Sequence, residues 1–82
     1  MRNLKIVFSK SSHPLAVGTV MDKITYRLRR MYTEVSAEPG EGRTFILPRC
    51  GIREVRAAMD KVMRKEKSVK CASIGPYHRT PV

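Results

Sequence analysis

Tyr32-Thr33-Glu34-Val35-Ser36-Ala37-Glu38-Pro39-Gly40-Glu41-Gly42-Arg43-Thr44-Phe45-Ile46-Leu47 is the segment around which the rest of the chain arranges itself. Two β-favouring runs, Tyr32–Ala37 and Arg43–Leu47, flank the five residues Glu38-Pro39-Gly40-Glu41-Gly42. Proline and glycine supply the turn and the flanking runs supply paired strands, so this segment predicts a β-hairpin.

Toward the N-terminus, Val17, Val20, Met21, Ile24, Leu28 and Met31 recur at the spacing of one helical stripe. Ser11 and Ser12 are candidate caps for that helix, and Pro14 suits its first turn, where a missing N–H is no loss. Gly18 falls inside the stripe at a cost of about 1 kcal/mol relative to Ala, which suggests close packing on the sheet or a late helix start. Ahead of the helix, Leu4–Ser9 alternates as a strand, with Leu4, Ile6 and Phe8 on one side and Lys5 and Val7 on the other.

Toward the C-terminus, Pro48 is expected to stop the second hairpin strand. Gly51 opens a second helix whose stripe is Ile52, Val55, Met59 and Val62, ending near Glu66. Ser68–Ile74 alternates again, with Val69, Cys71 and Ser73 on one face and Lys70, Ala72 and Ile74 on the other. Cys71 is expected to pack as a small core hydrophobe, and Gly75-Pro76 ends the strand. The order βαββαβ predicts an α+β domain with a ferredoxin-like, four-stranded antiparallel sheet and both helices on one face. The domain is expected over residues 1–76, with 77–82 as a flexible C-terminal tail. The uncovered sheet face would carry Lys5, Val7 and hairpin residues.

The 82 residues leave room for one hydrophobic core, and 41% apolar residues are enough to build it. A domain this small has a narrow stability margin, which dimerisation or a bound partner would widen. No apolar run approaches the roughly 20 residues of a membrane span, and the N-terminus lacks the pattern of a signal peptide, so a cytoplasmic protein is expected. Cys50 and Cys71 are too few for a disulfide scaffold and have no metal-site spacing.

Charge is the most informative property. Seventeen Lys and Arg stand against seven Asp and Glu, a formal net charge of +10. Residues 42–82 hold ten basic and three acidic side chains, and residues 1–41 hold seven and four, so the excess gathers in the second half. On the second helix Arg53, Arg56, Lys61, Arg64, Lys65 and Lys67 occupy sides that the apolar stripe leaves free. On the first, Lys23, Arg27 and Arg30 form a row with Arg29 beside it. Solvated helix faces with local ion pairs explain either row alone. They do not explain ten uncompensated charges, which draw the protein to a polyanion.

The expected function is therefore a small, non-enzymatic nucleic-acid-binding or ribonucleoprotein-associated module that contacts phosphates through these ten side chains. The rival expectation is a small phage or mobile-element regulator or inhibitor that docks its positive surface on an acidic site of a larger protein machine. A membrane surface ranks below both, because neither helix is rich in Trp or Phe. Tyr32, Phe45 and Tyr77 are the aromatics expected to be available for base stacking. The element order invites comparison with the RNA-recognition motif. Its third strand carries a basic-Gly-aromatic-Gly-aromatic run, of which Gly42–Leu47 holds only a fragment, so no membership is assigned.

No cofactor or metal is expected, since Gly40-Glu41-Gly42 lacks the lysine and following helix of a phosphate-binding loop. The one candidate nucleophile is Cys50, where a helix N-terminus, Arg49 and Arg53 would lower a thiol pKa. Neither His13 nor His78 has a spacing that supplies its base.

Overall fold

Leu4, Ile6 and Phe8 are fully buried, and the strand that carries them, β1 (Arg2–Phe8), forms the middle of the sheet. The computed structural model describes residues 2–66 and 69–80. After β1 come α1 (Pro14–Leu28), β2 (Thr33–Val35), β3 (Thr44–Cys50), α2 (Ile52–Met63), β4 (Val69–Ile74) and β5 (Tyr77–Arg79). The sheet order is β2-β3-β1-β4-β5, and every neighbouring pair is antiparallel.

One core cluster joins the sheet residues Leu4, Ile6, Phe8, Phe45, Leu47 and Ala72 to Val17, Met21 and Ile24 of α1 and to Val55, Met59 and Val62 of α2. Both helices thus cover the same sheet face. The Cα radius of gyration, 11.4 Å, is close to the roughly 12 Å of a compact body of this length. No helix among the described residues is long and apolar enough to cross a membrane.

The sheet has five strands where four were expected. Tyr77–Arg79, assigned from sequence to the tail, pairs with β4, Ile74 opposite Tyr77. Gly75-Pro76 is therefore a two-residue hairpin loop, with Gly75 supplying the positive φ of 53° that such a tight loop requires. Tyr77 packs against the edge of the core, and Arg79 pairs with Asp60 on α2. These contacts hold the short strand in place.

Pro48 does not end β3. The register shifts between Leu4↔Leu47 and Arg2↔Cys50, and Arg49 takes a left-handed φ of 58°. This bulge accommodates a residue with no N–H to offer the ladder. A second irregularity, between Val7↔Cys71 and Phe8↔Val69, moves Val69 to the core face with Ala72 and Ile74. Cys71 stays beside Val7 on the other face, half-buried and outside the core, contrary to the sequence expectation.

The hairpin is present, but its strands part at Val35↔Thr44, so the connection spans residues 36–43. That connection folds back on β1. The N–H of Phe8 donates to the Arg43 carbonyl at 2.8 Å, Glu41 reaches Lys5 at 3.5 Å, and a Cβ at Gly42 would collide with the Phe8 carbonyl. Val7, on the helix-free face, is only 1% exposed as a result of this crowding.

His13, not Ser11 or Ser12, caps α1, its Nδ1 accepting the Leu15 N–H at 3.1 Å. The two serine hydroxyls bond instead to Ser9. Arg29 ends the helix in the left-handed conformation, φ 52°, its N–H donating to the Thr25 carbonyl at 2.7 Å. Met31, expected on the apolar stripe, lies past this turn and is 85% exposed. Gly18 answers neither expectation: the helix has already begun at Pro14, and nothing lies within 4 Å of a Cβ built there.

A candidate polyanion interface between the helices

Each helix buries its stripe against the sheet, which leaves the outer flanks facing one another across a shallow groove. Lys23 and Arg27 are four residues apart on α1, a rise of about 6 Å, and so stand on one side of it. Lys61 of α2, with Arg64 and Lys65 just past its end, stands opposite. These five cations, with Val62 and Glu66, line a single hollow of ≈ 410 Å³. A second stretch, lined by Tyr26, Arg27, Leu28, Arg29, Glu54, Ala57, Ala58 and Lys61, continues it, since Arg27 and Lys61 belong to both.

Six of the ten side chains singled out from sequence thus line one groove: Lys23, Arg27, Arg29, Lys61, Arg64 and Lys65. Three others do not. Arg30 is turned back on the main chain, donating to the carbonyls of Arg49 at 3.2 Å, Arg29 at 3.1 Å and Leu28 at 3.5 Å. It satisfies carbonyls that the end of α1 and the bulge leave open, a favoured place for a cation. Arg53 lines a separate hollow with Arg2, Cys50 and Ile52 at the start of α2. Arg56 lies on the flank facing β5, its guanidinium 5.9 Å from the centre of the Tyr77 ring. Lys67 lies outside the described residues.

The carboxylates are distributed so as to sharpen this asymmetry. Glu34 pairs with Arg43, Glu41 with Lys5 and Asp60 with Arg79, all away from the groove. Glu66 enters its cationic end, bound to Lys23 at 2.7 Å, and Glu54 lines the second stretch. Among the described residues Arg27, Lys61, Arg64 and Lys65 form no ion pair. Cations one helical turn apart lie within the Debye length of about 8 Å at physiological salt, so they present a joint field to an approaching anion.

The aromatics are not arranged as the sequence suggested. Phe45 is 2% exposed and packs edge-on with both Phe8, at 5.6 Å, and Tyr32, at 5.3 Å. Tyr77 is half-buried beneath Arg56. The most exposed ring among the described residues is Tyr26, at 84%, on the lip of the groove. Its position two residues beyond Ile24, off the apolar stripe, is the sequence signal that would have singled it out.

Cys50 is a core residue, 1% exposed, its thiol donating to the carbonyls of Leu47 at 3.5 Å and Pro48 at 3.7 Å. Burial pushes its pKa up and outweighs the lowering by Arg30, the reverse of the activation expected at a helix N-terminus. Burial also raises the Cys71 thiol, with Glu41 adding to the effect and Lys5 and Lys70 opposing it. Among the described residues no group of three or more His, Cys, Asp or Glu could hold a metal ion.

No family model matches the chain, and neither a curated protein nor a solved structure matches it. The reading of the groove rests on its own geometry and charge.

Proposed function

We propose that the protein is a small nucleic-acid-binding module that works without catalysis, holding backbone phosphates along the groove between α1 and α2. The observation that carries this is the set Arg27, Lys61, Arg64 and Lys65, brought from α1 and from the end of α2 into one open hollow with no carboxylate partner among the described residues. Forked guanidinium groups and mobile ammonium groups are the side chains suited to phosphate oxygens. Contacts of this kind give affinity with little sequence choice.

The order β2-β3-β1-β4 agrees with a ferredoxin-like arrangement to which β5 adds an edge strand, and we read the fold in that way. Several nucleic-acid-binding folds of this general plan use the helix-free sheet face, with aromatics on it. Here the rows on that face are Thr33, Ile46, Lys5, Ser73 and His78, and Val35, Thr44, Val7 and Cys71, with no aromatic among them. Lys5, at its centre, is paired with Glu41. The helical side is therefore the better phosphate surface.

With about five phosphates engaged, affinity for a single strand should fall about a hundredfold between 50 and 200 mM salt, because bound counterions are released on binding. Fluorescence anisotropy across that range measures it, and reversing Arg27 and Lys61 to Glu should weaken binding and lower the salt slope by about two phosphate contacts or more. An affinity that is flat in salt, or indifferent to the double reversal, overturns the proposal. Nuclease-resistant, stoichiometric capture of an acidic protein, without oligonucleotide binding, would give the groove a protein host instead.

A further inference from the structure

The groove is not uniform along its length, and the difference points to the form of nucleic acid it takes. One end is cationic on both walls. The other has Tyr26 and Arg29 on the α1 side, and the methyl side chains of Ala57 and Ala58 with the carboxylate of Glu54 on the α2 side. Glu54 and Lys61 are seven residues apart on α2, a separation of about 10 Å along the helix, so the α2 wall changes sign along the groove while Arg29 keeps a cation on the α1 side of the Glu54 end. A phosphate is held best at the Lys61 end, where both walls are cationic.

We infer that Tyr26 is a stacking platform for one unpaired base, which enters between its ring and the low wall of Ala57 and Ala58 while Arg27, Lys61, Arg64 and Lys65 hold the neighbouring phosphates. The ligand is then single-stranded. This inference rests on the nucleic-acid reading above and names its substrate class. Tyr26 is 84% exposed and contributes nothing to the core, whereas Tyr32 and Phe45 are engaged with one another and Tyr77 lies under Arg56. In a duplex both faces of each base are already stacked, so its bases are closed to a surface ring. Unpaired bases in single strands and loops offer a free face.

The test compares the parent protein with Tyr26→Ala and Ala57→Leu, the second filling the slot from the opposite wall. Both positions are exposed, and equal thermal midpoints for the three proteins establish that the fold is kept. Labelled single-stranded RNA and DNA of about 12 nucleotides are titrated beside a hairpin duplex. Each substitution should weaken single-strand binding by roughly five- to 150-fold, leave duplex binding and the salt slope unchanged, and, for Tyr26→Ala, remove the quenching of tyrosine fluorescence on binding. If both variants bind single strands as tightly as the parent while affinity still falls with salt, the stacking site is refuted and the phosphate groove stands. If the parent binds neither single strand nor duplex, both fall together.

Discussion

Gly18 lies in the interior of α1 with open space where a methyl group would project. Its backbone is ordinary helix, so no positive φ calls for glycine, and its freedom in the unfolded chain only disfavours folding. Gly18→Ala should therefore stabilise the protein by about 0.4–1 kcal/mol, read as a shift of the urea midpoint with the m-value unchanged. A neutral or destabilising result would mean that the outer side of α1 is less open than its geometry indicates. At the same scale, two adjacent arginines have different work. Arg29 adopts the left-handed turn that ends the helix and leaves its charge beside the groove, whereas Arg30 places its guanidinium on three carbonyls.

Among the elements, the hairpin β2–β3 is held at its loop end by an ion pair rather than by extended pairing. Arg43 donates through Nε and one terminal nitrogen to the two oxygens of Glu34, at 2.9 and 3.0 Å, and lies 5.3 Å from the centre of the Phe45 ring. That bidentate bond lowers the Glu34 pKa from its ordinary 4.5 and raises that of Arg43. A carboxylate whose folded pKa is depressed stabilises the fold above its unfolded value, and the contribution disappears as pH falls through the folded pKa. The parent should accordingly be more stable than Glu34→Gln at neutral pH, with the difference vanishing well below pH 4.5. Both partners are substantially exposed, so the effect is small and is screened by salt. Urea unfolding across that pH range at low and high ionic strength measures it.

For the whole molecule, the relevant lengths are its extents of 29 × 25 × 23 Å and the reach of its charges. At about 0.01 M salt the Debye length, roughly 30 Å, spans the protein, and the net +10 repels itself throughout. At about 0.15 M only near neighbours interact. The thermal midpoint should rise with sodium chloride over this range while oligonucleotide affinity falls, opposite responses from the same charges. Calorimetric scans in both salts check the first half, and a midpoint that falls with salt would show that local ion pairs outweigh the surplus.

Sequence alone determined the first six elements and their order, the alternating core of β1 and the apolar stripes of both helices, because periods of 2 and 3.6 residues are local properties of a chain packed on one side. It also determined the charge surplus and most of the side chains that carry it. Tertiary structure decided the rest. β5 exists because Tyr77 finds the edge of the core and Arg79 finds Asp60, partners that no local pattern names. Cys71 and Val69 lie on opposite faces because a register shift intervenes between them. Of two cationic rows that look alike in sequence, the side-by-side packing of the helices brought Lys23 and Arg27 to Lys61, Arg64 and Lys65 and left Arg53 and Arg56 elsewhere, while the left-handed turn at Arg29 sent Arg30 back onto the main chain. The periodicity of a helix says which side faces the sheet; what stands across from its remaining sides depends on a neighbour distant in the chain.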